Sequence, residues 1–311
     1  MNSISKVTEF FKKPFAYAAV FGTLLTSANG YVLLKTYMIP TVQGYVEEAQ
    51  DDSYYEEVAS AAPEEAQTTA SSYSDGNIQI SISTVRYYDT DVYIADVKVS
   101  SAAYLKTALA SDTFGRNVTQ KTSAIASSHN AILAINGDYY GANSQGYVIK
   151  NGVIYRDTAR RSTNYDDLVI YRDGSFGIIN ESEVTAQQLL DSGVVNLFAF
   201  GPTLVSDGKV VISQNEEVGR AMANNPRTAI GMIDDLHYVL VVSDGRTSAS
   251  QGLSLYELAQ VLQQYGCKTA YNLDGGGSST MYFNGEVVNN PTTNGNRISE
   301  RSVSDIVYIG Y

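Results

Sequence analysis

The sequence predicts an α+β domain with a mixed, largely antiparallel sheet and a few packed helices, preceded by one N-terminal transmembrane helix and a disordered acidic spacer. Three observations support this prediction. Short runs of alternating apolar residues are separated by Asn-Gly and Asp-Gly pairs, which are typical turns of β-hairpins. Three helical segments are each followed by a short buried strand that ends in a polar turn. An uncharged segment and then an acidic segment precede all of these elements.

The N-terminal segment has the composition of a membrane anchor. Residues 1–13 contain three lysines and form a predicted cytoplasmic n-region, and residues 14–35 follow as a signal anchor. The uncharged run from Pro14 to Leu34 would span about 31 Å as a helix, which is enough for the hydrocarbon core. Lysines on its N-terminal side place that end in the cytoplasm. A cleaved signal peptide is the alternative, since residues 27–29 are small. In both cases the domain is extracytoplasmic, and an uncleaved anchor would make the protein single-pass in the cell membrane.

Residues 36–75 form the predicted linker. Positions 41 to 75 contain nine acidic residues and no Lys or Arg, and these account for most of the net charge of −12. Like charges repel one another and keep such a segment solvated and disordered. The domain, residues 76–311, is then only mildly acidic and contains no basic stripe, so we expect no nucleic-acid partner.

The strands and helices of the domain follow from local signals. Alternation and two-residue turns predict the hairpins, and the helices have N-terminal capping boxes formed by Thr185 with Gln188 and by Ser254 with Glu257. The predicted elements are the hairpin 77–85/92–99, the helix 118–130, the strand 131–135, the hairpins 146–155 and 168–171/176–179, the helix 185–192, the strand 194–200, the hairpin 228–233/236–242, the helix 255–265, the strand 269–273, the hairpin 281–283/287–288 and the strand 306–309.

The stretch from Ala270 to Met281 is the strongest candidate for a functional site. A short apolar run ends in Asp274, and Gly275–Gly277 then lead into Ser278, Ser279 and Thr280. Glycine amides and hydroxyl groups can converge on an anion, and an acid beside them suits acid–base chemistry. A glycine-rich hairpin turn is the alternative explanation.

Other polar residues also lie at strand ends. Arg227 precedes a buried strand, where an arginine could clamp a phosphate or carboxylate or simply cap a surface loop. Asp244 and Arg246 end the next strand, where they could be site groups or turn residues. The turn 136–138 ends the earlier strand 131–135. Ligand crevices commonly lie outside such strand ends.

Several classes of chemistry are not indicated. The chain has two histidines and one cysteine, Cys267, which lies beside an apolar strand and is expected in the core. A zinc site and a serine–histidine–aspartate triad therefore lack their usual residues. No phosphate-binding nucleotide motif is present, so we expect no cofactor. Dependence on a hard metal ion stays open.

Seven motifs occur in an order that resembles the phosphodiester glycosidase domain family, over about residues 77–311. They are Ala134–Tyr140, Phe200–Val205, Pro226–Gly231, Asp244–Arg246, Gly252–Ala259, Asn272–Met281 and Glu300–Asp305. Many members have Gly-Gly-aromatic after the asparagine, so Asp138 is a departure that could add a carboxylate. They also often have Arg-Pro-Val near the end, where this chain has Arg-Ser-Val from Arg301.

The resemblance implies hydrolysis of a sugar-1-phosphodiester at the glycosidic C1–O bond, in cell-envelope or exopolysaccharide glycans. Asp274, with Asp244 or Asp138, would activate water or support the oxocarbenium-like carbon. Asn136 would orient sugar hydroxyls or that water. The residues expected to bind substrate are Arg227, Arg246, Arg301, Asn272, Gly275, Gly276, Gly277, Ser278, Ser279 and Thr280.

Two other functions are compatible with the same residues. The domain could be a non-catalytic surface module that binds a glycan or a polyanion. It could also be a metal-assisted phosphodiesterase that cleaves P–O, using Asp138, Asp244 and Asp274 with a hard cation.

Overall fold

The computed structural model describes residues 10–46, 66–161, 166–214, 224–295 and 297–311. It contains two compact units, Met1–Thr41 and Val42–Tyr311. Residues 47–65 of the predicted acidic linker lie outside the described residues.

The first unit contains helix α1, Ala16–Tyr37. Among the described residues it is the one helix that is long and apolar enough to cross a membrane, and a signal sequence meets the same criteria. Its hydroxyl groups bond within the helix, since Thr23 Oγ1 donates to Ala19 O at 2.9 Å and Thr26 Oγ1 to Gly22 O at 2.8 Å. Such bonds satisfy polar side chains on a helix in an apolar environment.

The other helices are α2 (Thr122–Ser128), α3 (Ala186–Asp191) and α4 (Leu255–Gln264). In chain order the strands are β1 (Thr41–Tyr45), β2 (Gln67–Thr68), β3 (Ser72–Ser74), β4 (Ile78–Tyr87), β5 (Thr90–Val99), β6 (Leu105–Leu109), β7 (Thr113–Arg116), β8 (Gln120–Lys121), β9 (Leu133–Asn136), β10 (Val148–Lys150), β11 (Val153–Arg156), β12 (Asp167–Tyr171), β13 (Phe176–Ile179), β14 (Val194–Phe198), β15 (Thr203–Ser206), β16 (Lys209–Val210), β17 (Arg227–Asp234), β18 (His237–Ser243), β19 (Thr269–Leu273), β20 (Met281–Phe283), β21 (Glu286–Val287), β22 (Thr292–Thr293), β23 (Arg297–Ile298), β24 (Ser302–Val303) and β25 (Asp305–Ile309).

Two large sheets dominate the second unit. One has nine strands in the order β16-β15-β19-β17-β18-β5-β4-β3-β2, and the other has five in the order β21-β20-β9-β25-β6. The pairings within both sheets are antiparallel. The α+β class is thus confirmed, although these two sheets, as far as the chain is described, contain none of the parallel pairs that a mixed sheet would have.

The two sheets share one hydrophobic core. Ile230 and Leu240 of the nine-stranded sheet are in the same buried cluster as Ile135 and Val307 of the five-stranded sheet. Helix α4 covers the other face of the large sheet, and α2 covers the other face of the small one. A three-stranded sheet, β13-β12-β14, contributes to a further cluster with α3. The order of layers is therefore helix, sheet, sheet, helix.

Local sequence signals account for these helices. Thr185 and Ser254 both form the predicted capping boxes, in which the hydroxyl accepts from the N3 backbone N–H and the N3 side chain accepts from the cap residue. In α4 the buried residues Leu255, Leu258 and Leu262 share one face. This spacing places an apolar stripe against the sheet.

Two strands of the nine-stranded sheet, β2 and β3, precede residue 76, where the sequence predicts the start of the domain. Strands β2 and β3 pair with each other, and β3 pairs with β4. Asp75, assigned to the linker from the sequence, accepts hydrogen bonds from the hydroxyls of Tyr73 and Tyr311 and from the amides of Asn77 and Ile78. The Tyr73 bond is 2.6 Å long and both amide bonds are 2.7 Å long. Asp75 therefore ties the start of the sheet to the last residue of the chain.

Replacing Asp75 with asparagine should destabilise the domain in a pH-dependent way. Burial alone would raise the pKa of Asp75, but the bonds from Tyr311, Tyr73 and the two amides outweigh it and lower the pKa. A carboxylate whose pKa is lower in the folded chain stabilises fully at neutral pH, and this stabilisation is lost as the pH falls below about 4. We expect Asp75→Asn to cost about 1–2 kcal/mol at pH 7. Chemical denaturation at pH 7 and pH 3.5 measures this.

The difference from wild type should shrink at the lower pH. Asp207→Asn is the matched control, because Asp207 is exposed in a turn with a φ of 49°, which asparagine tolerates. An equal loss of stability at both pH values would contradict the assignment.

Candidate active site

A buried asparagine joins the two sheets at the point where their strand ends meet. Asn136, at the end of β9, donates from Nδ2 to the carbonyl oxygen of Asp274 at 2.6 Å. Its Oδ1 accepts from Thr228 Oγ1 at 2.8 Å and from the Thr280 amide at 3.2 Å. The Asp274 amide donates to Gly137 O at 3.1 Å. The side chain predicted to face substrate thus fixes the backbone around Asp274.

Asp274 follows the central strand β19 and has a largely buried carboxylate. Its Oδ2 accepts from Ser278 Oγ at 2.6 Å and from Arg301 Nη2 at 2.9 Å. Burial raises the pKa of this carboxyl above its ordinary value, the Arg301 charge and the two hydrogen bonds oppose that shift, and the charge of Asp138 adds to it. Arg301 brings its charge to the surface of the site, since its side chain is 42% exposed.

The glycine-rich segment forms a tight loop over Asp274. A 3-10 turn spans Gly276–Ser278, and the amide of Gly276 donates to Pro226 O at 2.8 Å. The amides of Ser278 and Ser279 donate to Gly275 O at 3.3 Å and to Gly276 O at 3.2 Å. Because these three amides have backbone partners, the positive charge at the loop comes mainly from arginine side chains.

Arg246 approaches the loop closely. A Cβ on Gly276 would lie 2.8 Å from Arg246 Nη2, and the φ of this residue, +63°, favours glycine. The guanidinium donates from Nη2 to Asn225 Oδ1 at 3.1 Å. Burial and the nearby charge of Arg301 lower the pKa of Arg246. Two like charges held together in this way repel each other, and a bound anion would relieve that repulsion.

Arg227 lies beneath the same loop. It is 3% exposed, and its Nε donates to Leu253 O at 2.8 Å while its amide donates to Ser243 Oγ at 2.9 Å. A Cβ on Gly275 would lie 4.0 Å from Arg227 Cδ. The structure therefore brings the three predicted arginines to one glycine-rich loop.

Asp244 and Asp138 have different environments. Asp244 accepts four hydrogen bonds: from the Asn290 amide at 2.8 Å, Asn290 Nδ2 at 2.9 Å, Asn289 Nδ2 at 3.2 Å and Tyr93 OH at 3.3 Å. Its carboxylate thus anchors residues 289–290 to the end of β18.

Asp138 accepts from two backbone amides. Tyr139 donates to Oδ1 at 2.6 Å and Ala199 donates to Oδ2 at 2.7 Å. An ionised carboxylate has about four acceptor positions, so Asp138 keeps more spare capacity than Asp244.

Three polar atoms beside the site are buried and have no hydrogen-bond partner among the described residues. They are Asn272 Oδ1, Ser279 Oγ and Thr280 Oγ1. Asn272 is held in place from its other atom, since Nδ2 donates to Gly201 O at 2.7 Å. Unpaired buried polar atoms are unfavourable, and they are common where a water molecule or ligand completes a site.

Two charged residues to which the sequence analysis assigns no role are buried beside Asp138. Lys150 Nζ lies 2.7 Å from Asp305 Oδ2, and the side chains are 2% and 0% exposed. Both residues lie at strand ends and resemble surface charges in a single sequence, so no local signal predicts their burial. No group of three or more metal-binding side chains occurs in the part of the chain that the structure describes.

Residues 129–310 match the family model "Phosphodiester glycosidase". This match covers more than half of the chain, which therefore belongs to the phosphodiester glycosidase family, as the ordered motifs predict. The predicted class of enzyme, glycoside hydrolases that act on phosphodiester-linked sugars, is confirmed at the level of the family.

Two curated relatives illustrate the similarity. The chain is 33% identical over 201 residues to the SPbeta prophage-derived protein YomE of Bacillus subtilis, covering 64% of this chain and 31% of YomE. It is 32% identical over 176 residues to human N-acetylglucosamine-1-phosphodiester alpha-N-acetylglucosaminidase, covering 51% of this chain and 33% of that protein. The chain thus spans about a third of the length of these relatives.

A solved structure has the same fold. The zebrafish N-acetylglucosamine-1-phosphodiester alpha-N-acetylglucosaminidase catalytic domain, auto-inhibited by its pro-peptide, superposes with a TM-score of 0.59 at 20% identity. The superposition covers 89% of this chain and 97% of the zebrafish chain.

Gly137→Ala should destabilise the site, because a Cβ on Gly137 would lie 2.6 Å from Asp305 Oδ1 and 2.8 Å from its Cγ. The Asp305 carboxylate is buried and must move to make room, so we expect a loss of about 1–3 kcal/mol in the free energy of unfolding. Gly76→Ala is the control, since nothing lies within 4 Å of its Cβ position. Urea denaturation of both variants tests this, and equal stabilities would show that the turn is not packed as described.

Proposed function

We propose that this protein is an extracytoplasmic hydrolase that cleaves the glycosidic bond of sugar-1-phosphodiesters in cell-envelope or exopolysaccharide glycans. One observation carries the proposal: the buried carboxylate of Asp274 is paired with Arg301, beside a glycine loop that a second arginine, Arg246, also approaches. This arrangement supports the proposal that a carboxylate acts beside a subsite for an anion. The family of the chain supports a phosphodiester as that anion.

The charges of the subsite suit a phosphodiester. Arg227, Arg246 and Arg301 contribute three positive charges at the loop, and an ionised Asp274 contributes one negative charge. The resulting excess of positive charge favours a bound anion such as a diester phosphate. Guanidinium groups bind phosphate oxygens through paired hydrogen bonds, so these arginines would hold the leaving group and stabilise the charge that develops on it.

Asp274 would act in its ionised form. A phosphodiester is already a good leaving group, so the reaction needs little help from a general acid and more from stabilisation of charge. The carboxylate would support the oxocarbenium-like carbon or activate water. Asp138 is the better second carboxylate, because it keeps acceptor positions and its charge acts on the pKa of Asp274.

The relatives suggest the first substrate to test. The human and zebrafish proteins are named for N-acetylglucosamine-1-phosphodiesters with an alpha linkage. We therefore propose a phosphodiester-linked sugar of this type as the substrate class for this chain. Helix α1 would hold the domain at the outer face of the cell membrane, with the lysines before it on the cytoplasmic side.

Asp274→Asn should abolish turnover without abolishing binding. The amide keeps the size of the carboxylate and can still accept from Ser278, but it lacks the charge that the transition state needs. We expect kcat on an α-GlcNAc-1-phosphodiester to fall by about a hundredfold or more, in line with the loss of a group that stabilises developing charge. Steady-state kinetics measure turnover, and calorimetry measures binding.

Asp207→Asn, in an exposed turn, is the control and should keep wild-type kinetics. If wild-type protein binds the diester and neither it nor the control hydrolyses it, the domain is a glycan-binding module instead.

The pH profile should report the contact between Arg301 and Asp274. The Arg301 charge opposes the burial that raises the pKa of Asp274, so its removal should raise that pKa further. If ionised Asp274 is required, the acidic limb of kcat/KM shifts to higher pH in Arg301→Gln. Arg301→Lys keeps the charge and should shift the limb less. If the acidic limbs of both variants coincide with the limb of wild type, Asp274 is not the titrating group.

A further inference from the structure

We propose that Asp305 and Lys150 form a buried positioning pair, which holds Asp138 and its turn in place against Asp274. The inference rests on the proposed function, since Asp138 is the second carboxylate of that site. It assigns a role to two residues that contact neither Asp274 nor the glycine loop among the described contacts.

Asp305, the first residue of β25, holds the turn after β9 through two groups. Its Oδ1 accepts from the Asp138 amide at 2.7 Å, and its carbonyl oxygen accepts from the Gly137 amide at 3.0 Å. The Gly137 carbonyl in turn accepts from the Asp274 amide at 3.1 Å. A continuous set of hydrogen bonds therefore connects Asp305 to the backbone amides of Asp138 and Asp274, the two residues that carry the candidate carboxylates.

Lys150 connects the other side of Asp138. Its Nζ lies 2.7 Å from Asp305 Oδ2 and 3.7 Å from the centroid of the Phe198 ring. Phe198 ends β14, and the next residue, Ala199, donates its amide to Asp138 Oδ2 at 2.7 Å. Asp305 thus binds the Asp138 amide, and Lys150 contacts Phe198, the neighbour of the residue that binds the Asp138 carboxylate.

Stability alone does not explain this pair. Lys150 Nζ and Asp305 Oδ2 lie 2.7 Å apart and form a buried ion pair. Buried ion pairs lose about as much by desolvation as they gain, and apolar replacements of similar size are often neutral or stabilising. Burial raises the pKa of Asp305, and the charge of Lys150 opposes that shift. What the pair supplies is a fixed acceptor for the Asp138 amide.

Two double variants of the full chain separate the hydrogen bond from the charges. Lys150→Met/Asp305→Asn removes both charges but keeps an oxygen that can accept from the Asp138 amide. Lys150→Met/Asp305→Leu removes the charges and the acceptor. Both should fold with native near-ultraviolet circular dichroism, because neither leaves an unpaired buried charge. The Leu-containing variant should have the lower melting temperature, because the buried Asp138 amide loses its acceptor.

The first double variant should keep kcat on the sugar-1-phosphodiester within about threefold of wild type. The second should lose about tenfold to a hundredfold in kcat at unchanged KM, because a small displacement of a reacting group costs rate rather than binding. Equal kcat values in the two double variants would overturn the proposal. A loss of kcat that is accompanied by loss of the native near-ultraviolet circular dichroism would also overturn it.

Hydrogen exchange tests the pair without any substrate. The amide of Asp138 should exchange slowly in wild type and in the Asn-containing double variant, and much faster in the Leu-containing one. Equal protection in both would overturn the proposal. An inactive wild-type chain would instead count against the proposed function, and the exchange comparison would still decide whether Asp305 holds the turn.

Discussion

The structure depends on one buried amide, the side chain of Asn136. It donates to the Asp274 carbonyl and accepts from Thr228 and Thr280. One residue of the smaller sheet therefore bonds to β17, to the residue after β19 and to the residue before β20. Buried polar groups must be paired, and this one fixes its partners in three directions. The glycine loop and the arginines around it are positioned from that junction.

Like charges lie close enough around this junction to shift one another's pKa values. Arg246 and Arg301 share the loop, and Asp138 acts on the pKa of the buried Asp274. A scaffold that holds such groups in fixed positions can stabilise charge in a transition state without reorganising. The two β-sheets supply part of this rigidity, because Asp138 follows β9 and Asp274 follows β19, and each of these strands has a neighbour on both sides in its sheet. The burial that shifts the pKa of Asp274 is thus the same burial that makes it a candidate catalytic group.

The sequence predicts elements well where one local signal dominates. Strand β19, Thr269–Leu273, agrees with the prediction residue for residue, and both capping boxes form. Strand β6 was not predicted, because Thr107 is buried there and its hydroxyl donates to Asn196 Oδ1, so that a polar residue interrupts the apolar alternation. The arginines converge as the ordered motifs imply. The buried pair of Lys150 and Asp305 could not be predicted, since its partners are 155 positions apart and only the fold brings them together.

The site of bond cleavage is the most direct test of the proposed chemistry. The full chain, which keeps strands β2 and β3, is incubated with an α-GlcNAc-1-phosphodiester in H₂¹⁸O, and the products are analysed by mass spectrometry. Cleavage of the glycosidic C1–O bond places the label in the released sugar, which is the result we predict. Label in the phosphate product would contradict the proposal and indicate a phosphodiesterase that cleaves P–O.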